Sequence, residues 1–261
     1  MLKTRIFSIA FFLSLSASAE QFVSLTLCSD RLLAELARPE QISAQSLYSK
    51  NPLMMLDKVN RDKPALEATL TSLLPYLDKT LLINETFYPR LAADLKKLGA
   101  KIVPINDSPQ TPEELFALIL QLGKLTGNER HAEALIDKLK SQHSRLNLSS
   151  SVTDTLILSD TGPVGDFPQY SILLDLLGLT PLKMPLTTQN FSLEKVLLAE
   201  PNVLIEISDR QSYNEQAELL RHPFLQKLFQ NRPHFHIPMK YAYCFDHGVW
   251  MGAEMIYHQQ K

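Results

Sequence analysis

Short apolar segments alternate with amphipathic segments along most of the chain. Residues 22–27 alternate between apolar and polar side chains, and residues 81–83 form an uninterrupted apolar run. Between such segments, apolar residues recur at the spacing of one helical face, as Leu91 and Leu95 do before Gly99. This order of strands and helices predicts an α/β fold with mainly parallel sheets covered by helices.

A helical interval separates two such alternating regions. The sequence Thr111-Pro112-Glu113-Glu114 is a typical helix start, and Gly123 and Gly127 are expected to weaken and end that helix. A second helix is predicted from Asn128 to about Leu146, roughly 27 Å long at 1.5 Å per residue. The alternation restarts at Thr155. We therefore predict two Rossmann-like lobes joined by a long backbone helix, with a ligand cleft between the lobes.

The N-terminus has the three parts of a secretory signal peptide. Lys3 and Arg5 form a basic start, residues 6–15 are almost wholly apolar, and Ala17-Ser18-Ala19 is an A-x-A cleavage site. We expect cleavage after Ala19 and export to the periplasm as a soluble protein. The predicted organisation is a signal peptide over residues 1–19, an N-terminal α/β lobe over 20–110, connecting helices over 111–150 and a C-terminal α/β lobe over 151–261.

The two cysteines, Cys28 and Cys244, leave two interpretations open. In an oxidising compartment they can form a disulfide, and they can also remain free and buried. Cys28 is predicted to lie where a strand ends before a helix, and a helix N-terminus lowers the pKa of a thiol. Paired with His247, it would make a Cys-dependent exported enzyme, which we keep as an alternative hypothesis.

Composition and missing motifs narrow the function further. The chain has 261 residues, 45% of them hydrophobic, and a formal net charge of -2, so it has no basic excess for nucleic acid. It contains no G-x-G-x-x-G, no P-loop, no G-x-S-x-G and no H-E-x-x-H sequence. We therefore expect no enzyme activity and no resident cofactor.

Two segments of the chain repeat one pattern. Leu66-Glu67 is followed by a predicted short helix, Pro75 and a buried strand, and Leu193-Glu194 is followed by the same elements with Pro201. Each Glu is predicted to lie in the first turn of its helix, where the helix dipole favours a carboxylate. Taken by itself, this placement is explained by ordinary N-terminal capping.

The order of several motifs resembles a known family. These motifs are Val23-Ser24-Leu25 before Asp30-Arg31-Leu32-Leu33, then Leu122–Gly127 before Ala132–Leu135, then Phe191–Leu197 with Pro201. In this order they resemble the periplasmic substrate-binding proteins of the metal-chelate ABC importers, which carry vitamin B12, ferric siderophores or haem. The resemblance covers nearly all of the chain after the predicted signal peptide.

The resemblance implies a function and a partner. It implies a monomer that captures a metal chelate, either cobalamin or a ferric siderophore, and delivers it to the membrane permease of an ABC importer. It also implies that Glu67 and Glu194, one on each lobe, dock with arginines of the permease. The first lobe departs from the family pattern by one extra residue between Glu67 and Pro75. Haem or a free metal ion is the alternative ligand for the same fold.

A ligand is expected beyond the carboxyl ends of the strands, because ligands bind there in open α/β sheets. Flat rings in the loops at this edge suit a corrin, a porphyrin or a catecholate. Two histidines at alternate strand positions, His234 and His236, are too few for a zinc site, so we predict no metal bound by the protein alone. The predicted cleft residues are Tyr48, Tyr88, Tyr241, Tyr243, His247 and Trp250.

Overall fold

The computed structural model describes residues 20–56, 62–146, 148, 154–160, 162–164, 166–183, 192–209 and 221–260. The predicted signal peptide, residues 1–19, lies outside these ranges, so cleavage after Ala19 stays a prediction. Two β-sheets carry the fold, and hydrophobic clusters cover both faces of each sheet. The α/β class predicted from the alternating sequence is confirmed.

The first sheet has five parallel strands. The strands are β1 (Phe22–Ser24), β2 (Ile42–Ser46), β3 (Ala65–Leu66), β4 (Thr80–Ile83) and β5 (Lys101–Pro104), with helices α1 (Leu27–Leu36), α2 (Leu70–Leu73) and α3 (Pro89–Lys97). The strand order is β3-β2-β1-β4-β5. Because side chains alternate along a strand, Phe22 and Leu82 pack with α1 on one face, whereas Val23 and Leu81 pack with α2 and α3 on the other.

The second sheet has four strands in the order β7-β6-β8-β9. Its elements are strands β6 (Thr155–Ser159), β7 (Gly162–Pro163), β8 (Val203–Ile207) and β9 (His234–Ile237), and helices α6 (Pro168–Leu177), α7 (Leu193–Ala199), α8 (Pro223–Leu228) and α9 (His247–Gln259). Strand β7 is antiparallel to β6, and β6, β8 and β9 are parallel. The carboxyl ends of β6, β8 and β9 therefore share one edge.

Helices α4 (Pro112–Thr126) and α5 (Glu129–His143) connect the two sheets. Helix α4 packs on α1 and α5, and α5 packs on α9. With 15 residues, α5 is about 22 Å long, shorter than predicted because it ends at His143. Gly127, at φ 69°, ends α4, but Gly123 lies within it. A Cβ at Gly123 would come within 2.4 Å of the Cβ of Ala132, so this glycine allows close packing of α4 and α5.

One hydrophobic cluster contains residues of both sheets and of the helices between them. It includes Phe22 of β1, Ile119 of α4, Ile205 of β8 and Val249 of α9, all fully buried. The predicted domain limits at residues 110 and 150 stay a prediction, but the core continues from one sheet to the other. Among the described helices, none combines the length and apolar character needed to cross a membrane.

Candidate ligand-binding cleft

Large apolar side chains are exposed where strands of both sheets end. Two tyrosines illustrate the pattern: Tyr48 follows β2 and is 54% exposed, and Tyr243 follows β9 and is 48% exposed. Soluble proteins rarely gather exposed apolar side chains without a binding role. The exposed apolar residues at this edge are Leu47, Tyr48, Phe87, Phe167 and Tyr243. Leu47, Phe87 and Phe167 belong to loops at this edge, although the sequence did not single them out.

A cavity of about 470 Å³ lies between the segment that leads into α4 and the start of α6. The first lobe contributes Gln110, the start of α4 contributes Thr111 and Pro112, and the second lobe contributes Pro168 and Phe245. The cavity therefore lies between the lobes, next to Phe167. None of the five exposed apolar side chains lines the cavity, but Phe167 lies between two residues that do, Asp166 and Pro168.

The tyrosines of the cleft interact in pairs, one pair in each lobe. Burial, with further contributions from Tyr48 and Asp107, raises the pKa of Tyr88. Burial, with a smaller contribution from Tyr243, raises the pKa of Tyr170. Both phenols are therefore neutral at pH 7 and offer a hydroxyl donor together with an aromatic face. Tyr170 is a neighbour that the sequence did not single out, because only its residue type pointed to the cleft.

Carboxylates line the same edge of the second sheet. Asp160 follows β6 and accepts a hydrogen bond of 3.0 Å from the backbone N–H of Asp209, which follows β8. Asp209 also accepts a bond of 3.3 Å from the backbone N–H of Met239. Burial raises the pKa of Asp209, and Asp160 adds to the increase. These carboxyl groups can accept hydrogen bonds from the polar rim of a ligand.

A disulfide and an ion pair join the lobes next to the cleft. Cys28, in the first turn of α1, forms a disulfide with Cys244, which precedes α9. Arg31, one turn further along α1, forms an ion pair with Asp246 at 2.7 Å. Of the two interpretations left open for the cysteines, the disulfide is therefore the one found. It also removes the Cys-dependent enzyme hypothesis, because the sulfur of Cys28 is not a free thiol.

Three predicted cleft residues, Trp250, Tyr241 and His247, are buried, which corrects the prediction from the sequence. Trp250 is 1% exposed and packs between Phe116 and Phe245, whose ring centroids lie 6.3 and 6.2 Å from its own. Tyr241 is 9% exposed and packs on Gly252. Both side chains stabilise the attachment of α9 and offer a ligand almost no surface. We therefore leave them out of the candidate site.

His247 lies in the first turn of α9 and is 7% exposed. It lines a second cavity of about 310 Å³ together with Arg31 and Glu35 of α1. This cavity lies between α1, α5 and α9, so His247 is not among the exposed rings at the strand ends. The described residues contain no group of three or more His, Cys, Asp or Glu side chains placed to hold a metal ion.

The two glutamates of the repeated pattern are both exposed but differ in local structure. Glu194 lies in the first turn of α7, after the cap Ser192, as predicted. Glu67 lies between β3 and α2, two residues before the cap Thr69, so its predicted place in a helical turn is wrong. The reason is that Ala65 and Leu66 pair with β2 and delay the helix.

No protein-family model matches the sequence, and no curated protein matches it either. Solved structures do match. The periplasmic haem-binding protein HutB of Vibrio cholerae is 18% identical, with a TM-score of 0.72 over 93% of this chain and 99% of that one. The siderophore-binding protein BauB, solved with acinetobactin and ferric iron, is 15% identical, with a TM-score of 0.73 over 94% of each chain.

A third match is the periplasmic vitamin B12 binding protein BtuF of Vibrio cholerae, which is 15% identical, with a TM-score of 0.59 over 92% of this chain and 96% of that one. At these identities the likeness establishes the fold. The chain has the two-lobed α/β fold of periplasmic binding proteins. These neighbours are binding proteins for haem, vitamin B12 and siderophores, the kind of protein that the sequence resembles.

Proposed function

We propose that this protein is a periplasmic binding protein that captures a metal chelate between its lobes and delivers it to an ABC importer. The observation that supports this most directly is the set of exposed apolar and aromatic side chains at the strand ends of both sheets. Because aromatic faces pack well on flat conjugated rings, these side chains fit a corrin, a porphyrin or a catecholate. Cobalamin and ferric siderophores are the first candidates, and haem or a free metal ion is the second.

In this proposal the two lobes have separate contacts with the ligand. Tyr48 and Phe87 of the first lobe and Phe167 and Tyr243 of the second pack on opposite sides of the chelate. The carboxyl groups at the ends of β6 and β8 accept hydrogen bonds from its rim. The protein binds and releases the chelate without changing it.

The test is an equilibrium titration of the protein with cyanocobalamin, a ferric catecholate siderophore and haemin, each measured separately. We expect one of the three to bind saturably, one molecule per protein, with micromolar affinity or tighter. Trp250 is a convenient reporter because it is the sole tryptophan and stacks on Phe245, which lines the cavity between the lobes. Failure of all three to bind would refute the proposal.

Variants locate the binding surface. Tyr48→Ala and Tyr243→Ala should each weaken binding about tenfold, because a buried aromatic contact contributes on the order of 1–2 kcal/mol. The matched control is Leu98→Ala, whose side chain is 49% exposed but lies at the end of α3, before β5 begins. Equal losses in all three variants would place the ligand elsewhere.

Delivery requires contact with the permease, and we propose Glu194 and Glu67 as the docking residues. Both are exposed, and one lies on each lobe. Glu194 lies on α7 beside Leu198, which is 75% exposed and adds apolar surface to the same helix. An exposed carboxylate with apolar surface beside it suits an arginine-bearing partner.

A further inference from the structure

Two buried carboxylates lie at the edge of the first sheet where its strands end. Asp30, in the first turn of α1, is 0% exposed, and Asp107, which follows β5, is 3% exposed. Neither side chain reaches the surface of the proposed cleft. A buried carboxylate is costly unless several donors satisfy it, so the donors of each indicate what it does.

Asp30 joins α1 to the ends of two strands. Its carboxylate accepts hydrogen bonds of 2.5 Å from the hydroxyls of Ser24, at the end of β1, and Ser46, at the end of β2. It also accepts the backbone N–H of Ser46 at 3.1 and 3.2 Å. Ser46 is the last residue before the turn of residues 47–50, which carries Tyr48, and the hydroxyl of Ser49 donates back to its carbonyl at 2.8 Å.

Asp107 joins the start of α1 to the loop after β4. It accepts a hydrogen bond of 2.7 Å from the side-chain amide of Asn84 and another from the hydroxyl of Thr26, the cap of α1. The side-chain oxygen of Asn84 in turn accepts the backbone N–H groups of Thr86 and Phe87 at 3.0 and 3.4 Å. The amide orientation of Asn84, and hence the turn of residues 84–88, therefore depends on Asp107.

The two carboxylates also interact with each other. Burial raises the pKa of Asp30 to about 7, and the charge of Asp107 adds to that increase. A neutral side chain at either position would avoid the repulsion between the two carboxylates, but the site keeps both acids. Their hydrogen-bond donors come from the ends of three strands and the start of one helix. Two of these donors, Ser46 and Asn84, occupy the positions from which the two tyrosine-bearing turns begin.

We propose that Asp30 and Asp107 are positioning residues that hold the turns of Tyr48 and of Phe87 and Tyr88 in their ligand-binding arrangement before a ligand arrives. This inference rests on the proposed function, because it assigns those turns to the ligand site. The ligand would then meet an ordered surface on the first lobe, and less binding free energy would be lost in ordering the turns.

Hydrogen exchange of the ligand-free protein tests the inference directly. Asp30→Ala should speed exchange in residues 47–50, and Asp107→Ala should speed it in residues 84–88. We expect changes of about tenfold or more, the effect of losing a hydrogen bond to a charged group. Ser46→Ala is a milder variant that keeps both acids, and it should raise exchange in residues 47–50 alone.

Two controls separate positioning from general loss of stability. Thr126 is 2% exposed, and its hydroxyl, which Thr126→Val removes, donates to the carbonyl of Leu122 at 2.9 Å and to that of Leu36, at the other end of α1, at 3.3 Å. It should lower the melting temperature without changing exchange in either turn. Asp107→Asn keeps an oxygen for the Asn84 amide, so its exchange in residues 84–88 should be closer to wild type than that of Asp107→Ala. Unchanged exchange in the turns of the alanine variants, or an equal change in Thr126→Val, would overturn the inference.

Binding of cyanocobalamin, ferric siderophore or haemin gives a second, separable result. If the wild type binds one of these probes, Asp107→Ala should weaken its affinity about tenfold while Thr126→Val does not, and equal affinities would overturn the inference. If the wild type binds none of them, the proposed function fails. The exchange experiment then still decides whether the two carboxylates order the turns.

Discussion

Arg31 and Asp246 form a fully buried ion pair with two contacts, Nε to Oδ2 and Nη2 to Oδ1, each 2.7 Å long. Arg31 belongs to α1 beneath the first sheet, and Asp246 is the cap of α9 in the second lobe. A third nitrogen of Arg31 donates to the carbonyl of Lys240 at 2.7 Å. Gly248 is needed beside the pair, since a Cβ there would come within 2.3 Å of Nη2. The pair links the two lobes at one point.

Breaking this pair should be costly. Asp246→Asn keeps an oxygen to cap α9 but leaves Arg31 buried without its counter-charge. We expect the free energy of unfolding to fall by about 3–5 kcal/mol, measured by urea denaturation. Combining it with Arg31→Met removes both charges and should recover most of that loss. A loss below about 1 kcal/mol in the single variant would mean that the pair contributes little to the lobe contact.

The disulfide should add stability without deciding the fold. Replacing Cys28 and Cys244 together with Ser removes a link between residues 216 positions apart. We expect the free energy of unfolding to fall by about 2–5 kcal/mol. The folded double variant should keep the wild-type radius of gyration in solution scattering, because the ion pair and the shared core remain. An expanded folded state would show instead that the disulfide holds the lobes together.

The raised pKa of Asp30 makes stability depend on pH. The unfolded carboxyl has a pKa near 3.8 and the folded one a pKa of about 7, so between these values the folded state binds more protons. Stability from this group is therefore full below about pH 4 and falls as the pH rises to about 7. Between pH 5 and pH 8 the wild type should lose about 2 kcal/mol relative to Asp30→Asn, by urea denaturation. A constant difference between the two proteins at both pH values would contradict this.

Reversing the charge of Glu194 should uncouple delivery from binding. With the cognate permease in lipid vesicles, Glu194→Lys should lower ligand uptake at least about tenfold, because a carboxylate facing arginine becomes a like charge. Glu67→Lys should have a smaller effect, since Glu67 lies outside its helix. The control is Glu133→Lys on the exposed side of α5. Loss of ligand affinity in Glu194→Lys would assign this residue to the ligand site or the fold instead.

Local pattern predicted most elements of the fold well. The cap Thr111 and the terminating Gly127 mark helix boundaries where the sequence placed them. Prediction failed at Glu67, which was expected in the first turn of a helix but follows Ala65 and Leu66, two residues that pair with β2. In a two-residue segment, pairing with a neighbouring strand outweighs the small intrinsic preference for a helix.

The site was predicted less completely than the fold. Tyr48, Tyr88 and Tyr243 lie at the strand ends as expected, but Trp250 and Tyr241 are buried. Residue type and position relative to a strand identify which loops reach the cleft. They do not tell which side chains of a loop face solvent, because that depends on how α9 packs against α6, α5 and β9.

The sequence by itself determined the two α/β lobes, the helices between them, the loops at the strand ends and the two cysteines available for pairing. These features depend on periodicity, caps and residue type, which act over a few neighbouring residues. Only the tertiary structure decided that Cys28 meets Cys244, that Arg31 meets Asp246, and that Asp30 and Asp107 share one buried network. Such contacts join residues far apart in the chain, and packing of the whole core sets their distances and burial.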